Sequence, residues 1–228
     1  MKKSVGIIIM KKLKATFEKC RDNFTRKLIM KNLFYFLCLV LIMRCSGQNS
    51  VNLPRYASVY DSLFRYNPAY ISSGFDYPVG KPDAKGYYDA QPYGQNTHLG
   101  NDWNSNKGGN SDLGDPVYSI SEGYVSCVQD FGGGWGNVVR MVHCLDTVKH
   151  VYVKSLYAHF QEILVKKGQF VKRGTQIGKI GNCNGHYYAH LHFEIRRKAD
   201  MELGGGYSSD TTGFFDPTAF IKKHRPRK

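Results

Sequence analysis

From Asp115 to Gly181 the chain is cut into short runs rich in Val, Ile and Tyr by glycine and aspartate turns. Pro116 to Ile120, Gly123 to Asp130, Asn137 to Cys144 and His150 to Ala158 predict strands, and their turn-bounded spacing predicts a mainly β, antiparallel core. The segment from Phe131 to Asn137 contains Gly-Gly-Gly-Trp-Gly, a tight link in which glycine tolerates positive φ. No Lys-Ser/Thr follows it and no helix opens after it, which excludes a phosphate loop. Downstream, Val165, Gly168, Val171, Gly174, Ile177, Gly178 and Gly181 space out a short repeat of strand and turn.

The chemistry concentrates in two distant clusters. In His190-Leu191-His192-Phe193-Glu194, a strand would send His190, His192 and Glu194 to one face and Leu191, Phe193 and Ile195 to the other. Taken alone, a His-x-His pair describes a solvated or hydrogen-bonded strand face as well as it describes a ligand pair. The second cluster, His98-Leu99-Gly100-Asn101-Asp102, places a histidine and an aspartate where both can close on one ion. Imidazole nitrogens with one carboxylate oxygen suit zinc, and three protein ligands with one open position is the catalytic arrangement. Both histidines of the pair cannot be assumed to be ligands. A third piece, Leu156-Tyr157-Ala158-His159, lies between the clusters.

In this order, His-x-x-x-Asp, Tyr-Ala-His and His-Leu-His-Phe-Glu resemble the lysostaphin-type (LytM-like) zinc endopeptidases that cut peptidoglycan peptides. The resemblance spans roughly residues 91–221. It implies that His98, Asp102 and His192 hold zinc, and that His159 and His190 flank the attacking water and the substrate carbonyl. It also implies a β-sandwich or barrel-like core with a short C-terminal helix. The Gly-Trp-Gly-Asn at 134–137 resembles a link between two strands in that family. The 165–181 repeat resembles the hairpins of biotinyl/lipoyl-type sandwiches, although no attachment lysine stands at a hairpin tip. The implied activity is zinc-dependent hydrolysis of peptidoglycan cross-links or stem peptides by a monomer. A catalytically inactive peptidoglycan-binding or hydrolase-activating relative is the alternative, as is an exported zinc-binding or carrier protein. No His-Glu-x-x-His helix is present, so the base role falls to the histidine pair. His190 is expected to take the water's proton and His159 to assist, or the reverse, with Glu194 in a supporting or structural role.

The 228 residues allow one core domain plus an extension. The formal charge of +14 invites a nucleic-acid partner. Its distribution argues against one. Residues 1–47 carry 11 Lys/Arg against 2 Asp/Glu, and the remainder carries 21 against 16. The excess therefore belongs to a leader, expected over 1–47. Its uncharged run from Phe34 to Met43 has the length of a signal-peptide core rather than a membrane span. Translation is expected to start at Met30, and the mature chain to be exported to the periplasm or cell envelope. Cleavage after Gly47 and lipidation of Cys45 are both open.

The expected organisation continues with an arm over 48–90, the peptidase domain over 91–221 and a basic tail over 222–228. Within the arm, Val51 to Tyr66 predicts a helix with Tyr56, Val59, Tyr60 and Leu63 on one face. Asp102-Trp103 puts an indole either beside the site or in the core. The loop from Asn104 to Gly114 is a turn or a groove wall. Cys127 and Cys144 would face each other in a hairpin, as a disulfide or as two small buried side chains. Asp216 and Pro217 predict the start of a last helix through Ile221. His143 and His150 read as surface or satisfied core groups, His186 as a cleft-side residue, and His224 with the tail as solvated.

Overall fold

The computed structural model describes residues 55–226; the expected leader, with Met30 and Cys45, lies outside them. Ten strands form one antiparallel network. They are β1 (Tyr87–Gln91), β2 (Asn101–Ser105), β3 (Pro116–Tyr118), β4 (Gly123–Asp130), β5 (Asn137–Asp146), β6 (Val151–Ile163), β7 (Phe170–Val171), β8 (Gln176–Ile180), β9 (Leu191–Arg196) and β10 (Phe214–Phe215). The main path runs β1-β2-β9-β6-β5-β4-β7. Off it, β10 pairs with β9, and β3 joins β6 through β8. The sheet does not close on itself.

β6 bends this network. Residues 154–158 pair with β9, whereas 160–163 pair with β8. His159 sits at the handover with φ 65°, a left-handed value that a non-glycine residue adopts only when its surroundings impose it. The sequence pattern ended this strand at Ala158, but β8 carries it on to Ile163.

The core forms on the inner face of the central strands. Leu191, Phe193 and Ile195 are fully buried there with Val139, Met141, Tyr157, Ile177 and Ile180. Burying each large side chain is worth about 1.5–3 kcal/mol. The opposite face of β9 was expected to be polar, and it is buried as well. His192 is 4% exposed, and Glu194 and Arg196 are 0% exposed. These groups tolerate burial because they bond one another.

A helix, α1 (Arg55–Tyr66), lies against the outer face of β5 and β6. Its inner side carries Tyr60 and Phe64, packed near Val142, Cys144 and Tyr152. The sequence period puts Val59 on this face, but it is 57% exposed; Phe64, four positions after Tyr60, takes the inward place. His150 and Tyr152 both bond Asp61 of the helix.

The β4–β5 register sets Cys127 opposite Arg140, while Cys144 faces Tyr152 across β5–β6. Hence the hairpin keeps the two thiols apart, and the described cysteines are free. α2 (Pro217–Lys223) starts as expected, with an Asp216 carboxylate oxygen accepting from the Ala219 N–H at 3.1 Å. In the described part of the tail Lys222 and Lys223 are exposed as expected, but His224 and Arg225 are half-buried and held by partners. His224 stacks on Phe220 with ring centres 4.2 Å apart, and Arg225 pairs with Asp76 at 2.9 Å. Among the described residues no helix is long and apolar enough to cross a membrane.

Candidate metal centre

Strand register builds the centre. β2 and β9 are neighbours, and Asp102 stands directly opposite His192. His98 precedes β2, where a bridge to Tyr207 holds the backbone. Gly100, between them, comes so close to β9 that a Cβ would lie 2.4 Å from the Phe193 carbonyl oxygen. Three donor atoms consequently converge. His98 Nε2 is 3.0 Å from His192 Nδ1, His192 Nδ1 is 2.9 Å from Asp102 Oδ1, and His98 Nε2 is 3.4 Å from the same oxygen.

The outward nitrogens decide what the inward ones can do. His98 Nδ1 lies 2.9 Å from the Gln91 carbonyl, so it carries hydrogen and donates. His192 Nε2 lies 3.0 Å from Glu194 Oε1 and donates to it. Both inward nitrogens therefore turn lone pairs toward each other and toward a carboxylate, an arrangement that calls for a positive charge in the middle. Without an ion a proton fills that role. Burial pulls the His192 pKa down, but the bonds to Asp102 and Glu194 prevail and hold it at about 9. Burial pushes Asp102 up, yet His192 and the neighbouring histidines bring it below its ordinary value. Burial keeps His98 below its ordinary value. A divalent cation held by His98, Asp102 and His192 satisfies all three donors at once, and the donor set is one that zinc accepts.

Two further histidines face the same cleft. His190 directly precedes β9 and bridges to Gly181. Its Nδ1 donates to the Tyr188 carbonyl at 2.8 Å, which leaves Nε2 as the acceptor, 3.9 Å from Asp102 Oδ1. His159 is 6% exposed, with its ring centre 4.6 Å from that of His190. Its Nδ1 lies 3.3 Å from the Trp135 carbonyl and 3.0 Å from Cys183 Sγ. Because the carbonyl can only accept, Nδ1 carries the hydrogen and Nε2 is free. Burial, aided by His190 and His192, drives the His159 pKa down to about 3. His159 is thus a neutral acceptor.

The cleft has a volume of about 440 Å³ and is lined by Asp102, Trp135, His159, His190, His192 and Tyr207, among others. Trp135 stands edge-on to His192 at 5.2 Å and donates to the Gly204 carbonyl at 3.1 Å. In the sequence this indole is only part of a glycine-rich link. Its signal was a lone aromatic among residues free to turn, with φ of 64°, 51° and 56° at Gly132, Gly133 and Gly136. Trp103, the other candidate, belongs to the core. A second recess of about 550 Å³ adjoins the cleft at Tyr187 and His190, and Asn104 and Asn110 from the 104–114 loop line it. His186 stands on its rim, away from the converging donors. His143 is fully buried and satisfied by the Glu122 carbonyl and the Ser155 hydroxyl.

Residues 96–202 match peptidase family M23. The chain is 37% identical over 106 residues to the peptidoglycan DD-endopeptidase ShyB of Vibrio cholerae, a match that covers 43% of this chain and 23% of that protein. It is 33% identical over 85 residues to the lipoprotein NlpD of Yersinia enterocolitica, covering 37% of this chain and 80% of the relative. Among solved structures, a zinc-containing peptidase from Vibrio cholerae aligns with a TM-score of 0.39 at 32% identity, over 54% of this chain and 36% of that one. The chain thus spans less than a quarter of the Vibrio DD-endopeptidase's length.

Proposed function

The chain belongs to peptidase family M23, and we propose that it is a zinc-dependent endopeptidase acting on peptide bonds in peptidoglycan cross-links or stem peptides. One observation carries the proposal. His98 Nε2, Asp102 Oδ1 and His192 Nδ1 lie within 4.8 Å of one another at a cleft that two more histidines line. His98, Asp102 and His192 would hold the ion. Zinc bound there would supply a Lewis acid that polarises the scissile carbonyl and makes water acidic enough to attack near neutral pH. The protein's own groups handle the proton. His190 Nε2 takes it from the attacking water and returns it to the leaving amine. His159 Nε2, held neutral, accepts a hydrogen bond and orients the water. Trp135 and Tyr207 restrict bulk water at the cleft wall. The relatives support a place in the cell envelope, where such a substrate resides.

The test compares metal content with digestion of purified sacculi. His98→Ala, Asp102→Ala and His192→Ala are expected to lose zinc and cleavage together. His190→Ala is expected to keep zinc and lose at least about 100-fold in turnover. Near-normal hydrolysis by His190→Ala would falsify the assignment. A second reading is a catalytically inactive peptidoglycan-binding or hydrolase-activating member of the same family. Muropeptides unchanged after digestion by zinc-loaded protein would favour it.

A further inference from the structure

Arg196 bonds two structures with separate duties. We propose that it is a positioning residue that couples the grip on the ion to the loop walling the cleft, residues 201–206. This rests on the reading of His98, Asp102 and His192 as a zinc centre.

The alternation of β9 places His192, Glu194 and Arg196 in a row on one face. His192 Nε2 donates to Glu194 Oε1 at 3.0 Å, and Arg196 Nε donates to Glu194 Oε2 at 2.6 Å. The two terminal nitrogens of the same guanidinium point the other way. One donates to the Glu202 carbonyl, and the other to the Leu203 carbonyl at 2.6 Å. The next residue, Gly204, accepts from Trp135 Nε1, and Gly206 accepts from the Leu99 N–H at 2.9 Å. The loop is therefore pinned by Arg196 at its start and beside His98 at its end. At Gly206 a Cβ would lie 3.7 Å from His192 Cε1, so loop and ligand are in contact range.

Neither partner of the ion pair can be left alone. Glu194 and Arg196 are 0% exposed, and an uncompensated buried charge is strongly destabilising. A lysine would preserve the charge but has no planar fork with which to hold a carboxylate and two carbonyls at once. The line of bonds therefore runs unbroken from the loop carbonyls to the imidazole that faces the ion. Coupling of this kind is reciprocal: an ion that fixes His192 must also steady the loop, and a loop displaced by substrate must change the hold on the ion.

The experiment uses the full chain, with zinc itself as the probe. Zinc affinity is measured by chelator competition, and amide exchange of residues 201–206 is followed by mass spectrometry with and without zinc. In the unaltered protein, zinc is expected to slow exchange of this loop several-fold. Arg196→Lys is expected to weaken zinc binding about 10–100-fold and to abolish the slowing even at saturating zinc. Should Arg196→Lys fail to fold, Glu194→Gln breaks the same line at its other link and is expected to uncouple the loop in the same way. Unchanged zinc affinity, or undiminished slowing by zinc in the folded variant, would overturn the inference and leave the zinc reading intact. An unaltered protein that binds no zinc would overturn both.

Discussion

A methyl group at residue 181 would sit 2.3 Å from the His159 carbonyl oxygen and 2.5 Å from the Gln161 nitrogen. Glycine is required there because β6 changes partner at His159, and the start of the His190 segment crosses against that bend. Gly181→Ala is expected to cost about 1–3 kcal/mol in urea unfolding and to reduce cleavage further by moving His159; wild-type values in both assays would count against this account. Single residues were also where the sequence spoke most plainly. His98, Asp102 and His192 stood out because two histidines and a carboxylate in short polar clusters have few structural uses in common. Glu194 read as a supporting or structural residue, whereas Arg196 did not stand out at all. Alternation assigns them a face, but only the pairing of β9 between β2 and β6 reveals that this face is buried. Trp135 stayed hidden for a similar reason, since a turn's own residues do not disclose what the turn leans on.

At the level of elements, Lys154 is an anomaly in β6. It is 4% exposed and lies directly across from Arg196. Burial, followed by Arg140 and Arg196, depresses its pKa to about 8. The folded state thus disfavours the ammonium. Below about pH 8 the penalty is complete, and it shrinks as pH rises from 8 toward the unfolded value of 10.5. Lys154→Met is expected to stabilise the protein by about 1–2 kcal/mol at pH 7, with the gain fading above pH 8; thermal melts at pH 7 and pH 10 check both statements. Strand periods located the elements well between 116 and 158. They failed at strand ends, where pairing with β8 rather than composition decides the length. In α1 two inward periodicities competed, and the apolar groove offered by Val142 and Cys144 selected Phe64 over Val59.

For the molecule as a whole, acid stability should follow its buried neutral histidines, His143 together with His159. The His143 imidazole is fully buried and neutral, and burial lowers its pKa to about 4 against 6.5 in the unfolded chain. The stability this supplies is complete above pH 6.5 and disappears as pH falls toward 4, by roughly 3 kcal/mol in total. His143→Gln should flatten the unfolding free energy between pH 6.5 and 4; an unchanged slope would place the acid sensitivity elsewhere. The mainly β architecture was legible from turn spacing, whereas the open path of the sheet was not, because closure depends on edges that carry no local signature. One feature of that path bears on how the protein comes into being. Asp102 and His192 are separated by 90 positions, yet they face each other as direct neighbours. A nascent chain cannot bring Asp102 against His192 until its last central strand, β9, has threaded between two already translated ones, β2 and β6. The three donors are consequently apart throughout synthesis, and they converge only when β9 is in place. During refolding, uptake of zinc should keep pace with protection of the amides of β9, and capture of the ion ahead of that protection would contradict the account.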